Sequence, residues 1–314
     1  MSTPMTEVPV VSLADDAVDV ARALADAYSS IGFCVLVDHG ISRDATGAAF
    51  EASRRFHALP RDDKLALAIN EFHRGFIARD TSTVVTSSVA NVTKPNQSES
   101  LMVLHEPHPD DAGRLLAGPN QWPSDRPDIE EPLEEYHRLM TDLGMSLLPL
   151  IARSLGEEED VFDEAFERPT TWLRMLKYPP RPPDAAEDLF GSAPHTDYGF
   201  VTLLASPEIG GLEVRHPDGA WIRPPAIPDG LVMNSGDMLR RWSNGRFRST
   251  PHRVINDQPG DRWSIPFFFD PHVSTVVTPL ASGGEPEFEP VLFEDYLEVR
   301  LRRNYRQHQE RATS

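Results

Sequence analysis

Apolar residues recur at helical spacing in the first half of the chain and at strand spacing in the second. From Ser12 to Ile31, the positions Ala17, Val20, Ala21, Leu24, Ala27, Tyr28 and Ile31 share one helix face, with Ser12-x-x-Asp15 as a capping box. Gly32 stops this helix, and the apolar run to Val37 reads as a buried strand. A second helix is predicted over residues 44–59, ending before Pro60, and a shorter one over 62–69. Periodicity is then lost from Phe72 to Glu106, where Ser, Thr, Val and Asn dominate residues 80–97; this reads as a loop or loosely paired strands. Residues 107–127, rich in Pro, Asp and Gly, read as a surface connection. A long amphipathic helix follows over 128–155. Its Leu133, Tyr136, Met140, Leu143 and Leu147 make a core stripe, and Pro149 is a point where it can kink.

From Thr171 to about Val277 the pattern becomes short strands with frequent turns. Leu212 to Arg215 and Ala220 to Arg223 flank His216-Pro217-Asp218-Gly219, whose Pro-Asp-Gly suits a hairpin turn. Several such strands suggest a double-sheet jelly roll, an architecture that binds ligands and metals inside its sandwich. The tail, 293–309, carries an arginine-rich helical pattern. The fold class is therefore α+β: a jelly-roll core flanked by N-terminal helices, one long central helix and a C-terminal helix. Without repeats or a clear second core, residues 1–314 are expected to form one domain. Residues 1–125 would be its helical and strand N-terminal region, and 170–280 its jelly-roll core.

Composition narrows the partners. The 314 residues carry 49 acidic and 30 basic side chains, a formal charge of −19 that disfavours nucleic acid and anionic membrane surfaces. A single cysteine, Cys34, excludes an intrachain disulfide framework and fits a reducing compartment; its apolar surroundings make it a buried small hydrophobe. No basic, apolar leader and no run of membrane-spanning length is present, so a cytoplasmic location is the expectation. Oligomeric state is not readable.

The candidate chemistry lies in the strand-rich half. His195 and Asp197 stand two apart, on one face if both belong to a strand, and an apolar run follows that reads as a buried strand with the ligands at its mouth. Alone, a His-x-Asp is most often a satisfied histidine and a turn-capping aspartate. Two further features change that: His252 downstream, and Arg262 with Ser264 on a later strand. Two imidazoles and a carboxylate form the facial donor set of non-heme Fe(II) oxygenases. A guanidinium and a hydroxyl at spacing two can clamp a carboxylate. Together they ask for a metal and a dicarboxylic cosubstrate.

At these residues the chain resembles the 2-oxoglutarate- and Fe(II)-dependent dioxygenases of the isopenicillin N synthase-like superfamily. His-x-Asp, a distal His and Arg-x-Ser follow in that family's order. The likeness extends through Asn234 to Leu239, Ser243 to Ser249, Arg262 to Pro271, and the N-terminal stretches Val8 to Val11 and Gly32 to Gly40, spanning about residues 8–305. The resemblance implies that His195, Asp197 and His252 ligate iron. It also implies that Arg262, Ser264 and Tyr178 bind the distal carboxylate of 2-oxoglutarate, and that O2 is the oxidant. Two departures stand out: Leu176 and Asp38 occupy positions where many members have Asn.

The expected activity is oxidation, most simply hydroxylation, of a small molecule with release of succinate and CO2. A 2-oxoglutarate-independent Fe(II) oxidase, cyclase or desaturase of the same superfamily is the alternative, and a non-enzymatic binder of small acids stands further off. Arg174, four residues before Tyr178 on one strand face, is a candidate for a substrate carboxylate; Arg74 and Tyr198 are weaker substrate candidates. Residues reading the substrate are expected between Phe72 and Ser100 and in the C-terminal helix. His105 and His108 flank Pro107, which argues against a second metal site there.

Overall fold

A computed structural model describes residues 7–305 apart from 84–86, 88, 91 and 207–209. Strand β1 (Val10–Ser12), helix α1 (Ala17–Ser30), strand β2 (Phe33–Val37) and helices α2 (Arg43–His57) and α3 (Arg61–Ala66) open the chain. Strands β3 (Gly75–Ile77) and β4 (Glu99–Leu104) precede the long helix α4 (Pro127–Leu155). Then come β5 (Thr170–Tyr178), β6 (Ser192–His195), β7 (Val201–Ala205), β8 (Leu212–Arg215), β9 (Trp221–Ile222) and β10 (Leu231–Ser235). Helix α5 (Asp237–Trp242), strands β11 (His252–Val254) and β12 (Arg262–Asp270), and helix α6 (Phe293–Asn304) follow.

These strands form two facing sheets, as the strand-rich half predicted, and Val276–Val277 pairs separately with Val291–Leu292. The larger runs β1-β2-β10-β7-β12-β5-β4-β3 and the smaller β6-β11-β8-β9. The β8–β9 hairpin lies where the Pro-Asp-Gly turn placed it. Strands outside the core extend the larger sheet at both edges: β2 pairs with β10, and β4 pairs with β5 along its whole length. The stretch 72–106 therefore contains a fully paired strand. Its buried Leu101, Met102, Val103 and Leu104 carry no period-2 alternation, because both faces are covered, and that hid it from the pattern.

Helix α4 backs the larger sheet. All five predicted stripe residues are buried, each Leu or Met contributing roughly 1.5–3 kcal/mol by leaving water. Gly144 lets the helix approach β12, since a Cβ there would meet the Phe269 ring at 2.6 Å. The helix stops at Gly156, whose positive φ of 78° suits a left-handed cap. The capping box at Ser12 is not formed. Ser12 ends β1 and donates to Asp38, while Asp16 caps α1 by accepting the Val18 N–H at 2.9 Å. The parallel β1–β2 pairing takes Ser12, which the helical pattern had claimed.

Along β12, side chains alternate strictly. Ile265, Phe267 and Phe269 are fully buried in the main core, while Arg262, Ser264, Pro266, Phe268 and Asp270 turn to the space between the sheets. This face positions the site.

Candidate metal and cosubstrate site

His195 ends β6 and His252 opens β11, and the antiparallel register sets the two directly opposite each other. Their rings lie 4.4 Å apart between centroids. Asp197 is not on the strand with His195, as the spacing had suggested; it sits in the turn between β6 and β7. The turn still brings it in: its Oδ1 lies 3.9 Å from His195 Nε2 and 3.7 Å from His252 Nε2. The ligand-capable atoms of the three fall within 4.8 Å of one another.

Their partners fix which atoms face the centre. His195 Nδ1 lies 2.7 Å from the Ala193 carbonyl and His252 Nδ1 lies 3.2 Å from the Thr250 carbonyl. A carbonyl only accepts, so each Nδ1 carries the proton and each Nε2 presents a lone pair. Asp197 Oδ2 accepts from Thr202 Oγ1 at 2.6 Å and Asn234 Nδ2 at 2.8 Å, leaving Oδ1 for the centre. Burial, helped by the His252 charge, pushes His195 down to about 4, so it is neutral at pH 7. Burial alone would raise the Asp197 carboxyl, but His252 and His195, with the two hydrogen bonds, outweigh it and hold it low. A neutral imidazole at His195 and an ionised carboxylate at Asp197 are protonation states that suit a divalent metal.

A cavity of about 70 Å³ runs from this triad to Arg262, Ser264 and Tyr178. Register explains the grouping: Arg262 stands opposite Tyr178 on β5, and Ser264 opposite Leu176. The Arg262 guanidinium lies 5.1 Å from the Tyr178 ring centre and its Nε donates to the Gly210 carbonyl at 2.8 Å. Gly211, at φ 84°, is needed there because a Cβ would press on Arg262 Cδ at 2.9 Å. Ser264 Oγ is buried with no hydrogen-bond partner among the described residues. A buried hydroxyl beside a guanidinium, both opening on a cavity, fits a carboxylate. Leu176, the departure from Asn, lines the same cavity as apolar wall.

A second cavity, of about 90 Å³, opens on the other side of His195 and Asp197. Arg174 borders both, its Nε donating to Ser100 Oγ at 3.0 Å and its Nη1 to Tyr305 OH at 3.4 Å. Tyr198 also lines this second cavity and contacts Asn304 on α6. Arg74 does not. It is fully buried and donates to Asn120 and to the backbone carbonyls of Leu104, His105 and Leu116, so it ties loops together. Its neighbour His73 faces the cavity instead, against Tyr305. The expected contributors are present: Ser82, Thr83 and Asn96 from the 72–100 stretch, and Leu297 and Leu301 from α6. Thr202, which orients Asp197, and Asp270, deep in the second cavity, were not singled out by spacing. The first lies five residues past its partner inside an apolar strand, and the second reads as the start of a turn before Pro271.

The chain matches two family models: 2OG-Fe(II) oxygenase superfamily over residues 169–271, and non-haem dioxygenase in morphine synthesis N-terminal over 8–125. It is 35% identical over 290 residues to the 2-oxoglutarate-Fe(II) type oxidoreductase hxnY of Emericella nidulans, covering 87% of this chain and 81% of that protein. With a homoarginine-6-hydroxylase of Arabidopsis thaliana it shares 30% identity over 302 residues, covering 91% of this chain and 90% of the other. Its structure superposes with a TM-score of 0.81 on a full-length Neurospora crassa protein crystallised with alpha-KG and thymine. That match is at 26% identity and covers 94% of this chain and 96% of that one.

Proposed function

The chain belongs to the 2-oxoglutarate- and Fe(II)-dependent oxygenase superfamily, and from that premise we propose that it hydroxylates a small polar molecule at the second cavity. The observation that carries this reading is the continuity of the two cavities at His195 and Asp197. One cavity ends in a carboxylate clamp, and the other is closed by side chains from separate segments. Two relatives support a small, polar ligand: one is named for homoarginine, and another was crystallised with thymine.

In this reading His195, Asp197 and His252 would hold iron, and the clamp of Arg262, Ser264 and Tyr178 would take the distal carboxylate of 2-oxoglutarate. Bound together, these groups would supply oxidation of a C–H bond by O2, with succinate and CO2 as co-products. The chain's own work is positional. Ala193 and Thr250 carbonyls hold the imidazoles with Nε2 inward, and Thr202 and Asn234 hold the carboxylate. Arg262 supplies a permanent, planar cation in a buried wall, where a charge-assisted bond to a carboxylate is stronger than in bulk water. Leu176, Leu204, Leu212 and Val254 keep that wall apolar.

Following 2-oxoglutarate and candidate small molecules together by NMR tests the proposal. It expects succinate to form in step with a hydroxylated product. Product formation without succinate would overturn it and point to an oxidase using O2 alone.

A further inference from the structure

The second cavity holds an acidic and a basic side chain, Asp270 and Arg174, and neither has an ion-pair partner among the described residues. Asp270, at the far end of β12, is 4% exposed. Its Oδ1 accepts the Phe200 N–H at 2.8 Å, and no cationic side chain among the described residues lies close enough to help hold it ionised. Burial pushes its carboxyl up to about 7, with the Asp197 charge adding to the rise. Arg174, on β5, bonds only the neutral hydroxyls of Ser100 and Tyr305 among the described residues.

The structural task at position 270 does not call for a charge. Gly199 packs so tightly that a Cβ there would sit 1.5 Å from Asp270 Oδ1, and that oxygen braces the turn after the metal ligand Asp197. An amide oxygen would accept the Phe200 N–H equally well. A carboxylate adds desolvation cost without structural return, unless something in the cavity answers it.

Register places the two groups apart. Asp270 stands opposite Thr170, and Arg174 lies four residues along the same strand, about 13 Å at the strand rise. Between them the wall is apolar and aromatic, with Phe268, Trp172 and Met102. Resting on the reading of this cavity as the substrate site, we propose that the substrate is bipolar. An anionic group meets Arg174, an ammonium or guanidinium meets Asp270, and an apolar body lies over Phe268 and Trp172. Asp270 is then a specificity-determining residue: it selects for a cationic end and against simple acids of the same length.

Calorimetry on the Fe(II)- and 2-oxoglutarate-loaded protein without oxygen tests this. The probes are ω-amino acids from 4-aminobutanoate to 8-aminooctanoate, each with its matching carboxylic acid and alkylamine. One length should bind about tenfold or more tighter than its acid and its amine. Asp270→Asn, which keeps the bond to Phe200, should erase the gain over the acid while leaving acid binding unchanged. Arg174→Gln should erase the gain over the amine. Equal binding of all three classes, or a preference unchanged in Asp270→Asn, would overturn the proposal. The charge-transfer absorption of Fe(II) with 2-oxoglutarate, read in the same samples, separates this outcome from failure of the cosubstrate reading. If that band is missing the cosubstrate assignment falls, and the calorimetry still decides the bipolar one.

Discussion

The two cavities that meet at His195 and Asp197 are alike in volume, about 70 and 90 Å³, and unlike in how their walls are made. The clamp end takes its polar groups from two neighbouring strands, β5 and β12, whose register fixes Arg262 against Tyr178. The other end collects its wall from β4, β5, β12, the turn at Tyr198, the separate residues His73, Ser82, Thr83 and Asn96, and α6. A constellation set by strand register is held more tightly than one assembled from loops and a terminal helix. The first end therefore suits a ligand that never changes, and the second can be rebuilt without disturbing the first.

Substitutions can break that division in order of severity. Asp197→Ala removes the carboxylate that both histidines face, and should abolish Fe(II) retention and turnover, checked by metal analysis after desalting. Arg262→Ala should weaken 2-oxoglutarate by about 2–5 kcal/mol, the cost of truncating a buried charge partner, and leave Fe(II) binding intact. A titration of the cosubstrate reads this directly, and Arg262→Lys should recover only part of the loss. Asn234→Ala frees one oxygen of Asp197 and should lower Fe(II) affinity by about 10–100-fold without altering the cosubstrate requirement.

Acid should act on the clamp end from behind. His57, packed 5.3 Å from the Trp263 ring, is held by burial at about 4, well under its ordinary 6.5. The unfolded chain binds that proton more readily, so His57 contributes stability in full above pH 6.5 and loses it as pH falls toward 4. By pH 5 the loss should be on the order of 1–2 kcal/mol, and a His57→Gln variant should show a correspondingly flatter melting temperature against pH. Leu301→Ala, at the other end, should have the smallest effect on the cosubstrate. Substrate KM should shift severalfold while the KM for 2-oxoglutarate stays fixed, and a matching rise in both would erase the distinction between the ends.

The contrast also explains what the chain discloses on reading. That His195, His252, Arg262, Ser264 and Tyr178 line one cavity was legible because their chemistry is rare at those spacings and their placement follows from strand periodicity. The stripe on α4 was legible for the same reason. Strand β4 was not, since an uninterrupted apolar run carries no period. That Arg74 lies outside the second cavity was not legible, because nothing local distinguishes an arginine that caps backbone carbonyls from one that faces a cavity. Asp270 passed unnoticed because its partner across space, the Phe200 N–H, lies seventy residues away.

An anaerobic titration of the metal-free protein with Fe(II) and 2-oxoglutarate bears most directly on the triad and clamp acting as one site. A visible metal-to-ligand charge-transfer band should appear only when both are present, and should be lost in Arg262→Ala at cosubstrate levels that saturate the parent protein. Fe(II) binding with no such band, or a band of equal strength at the same 2-oxoglutarate concentration without Arg262, would contradict it.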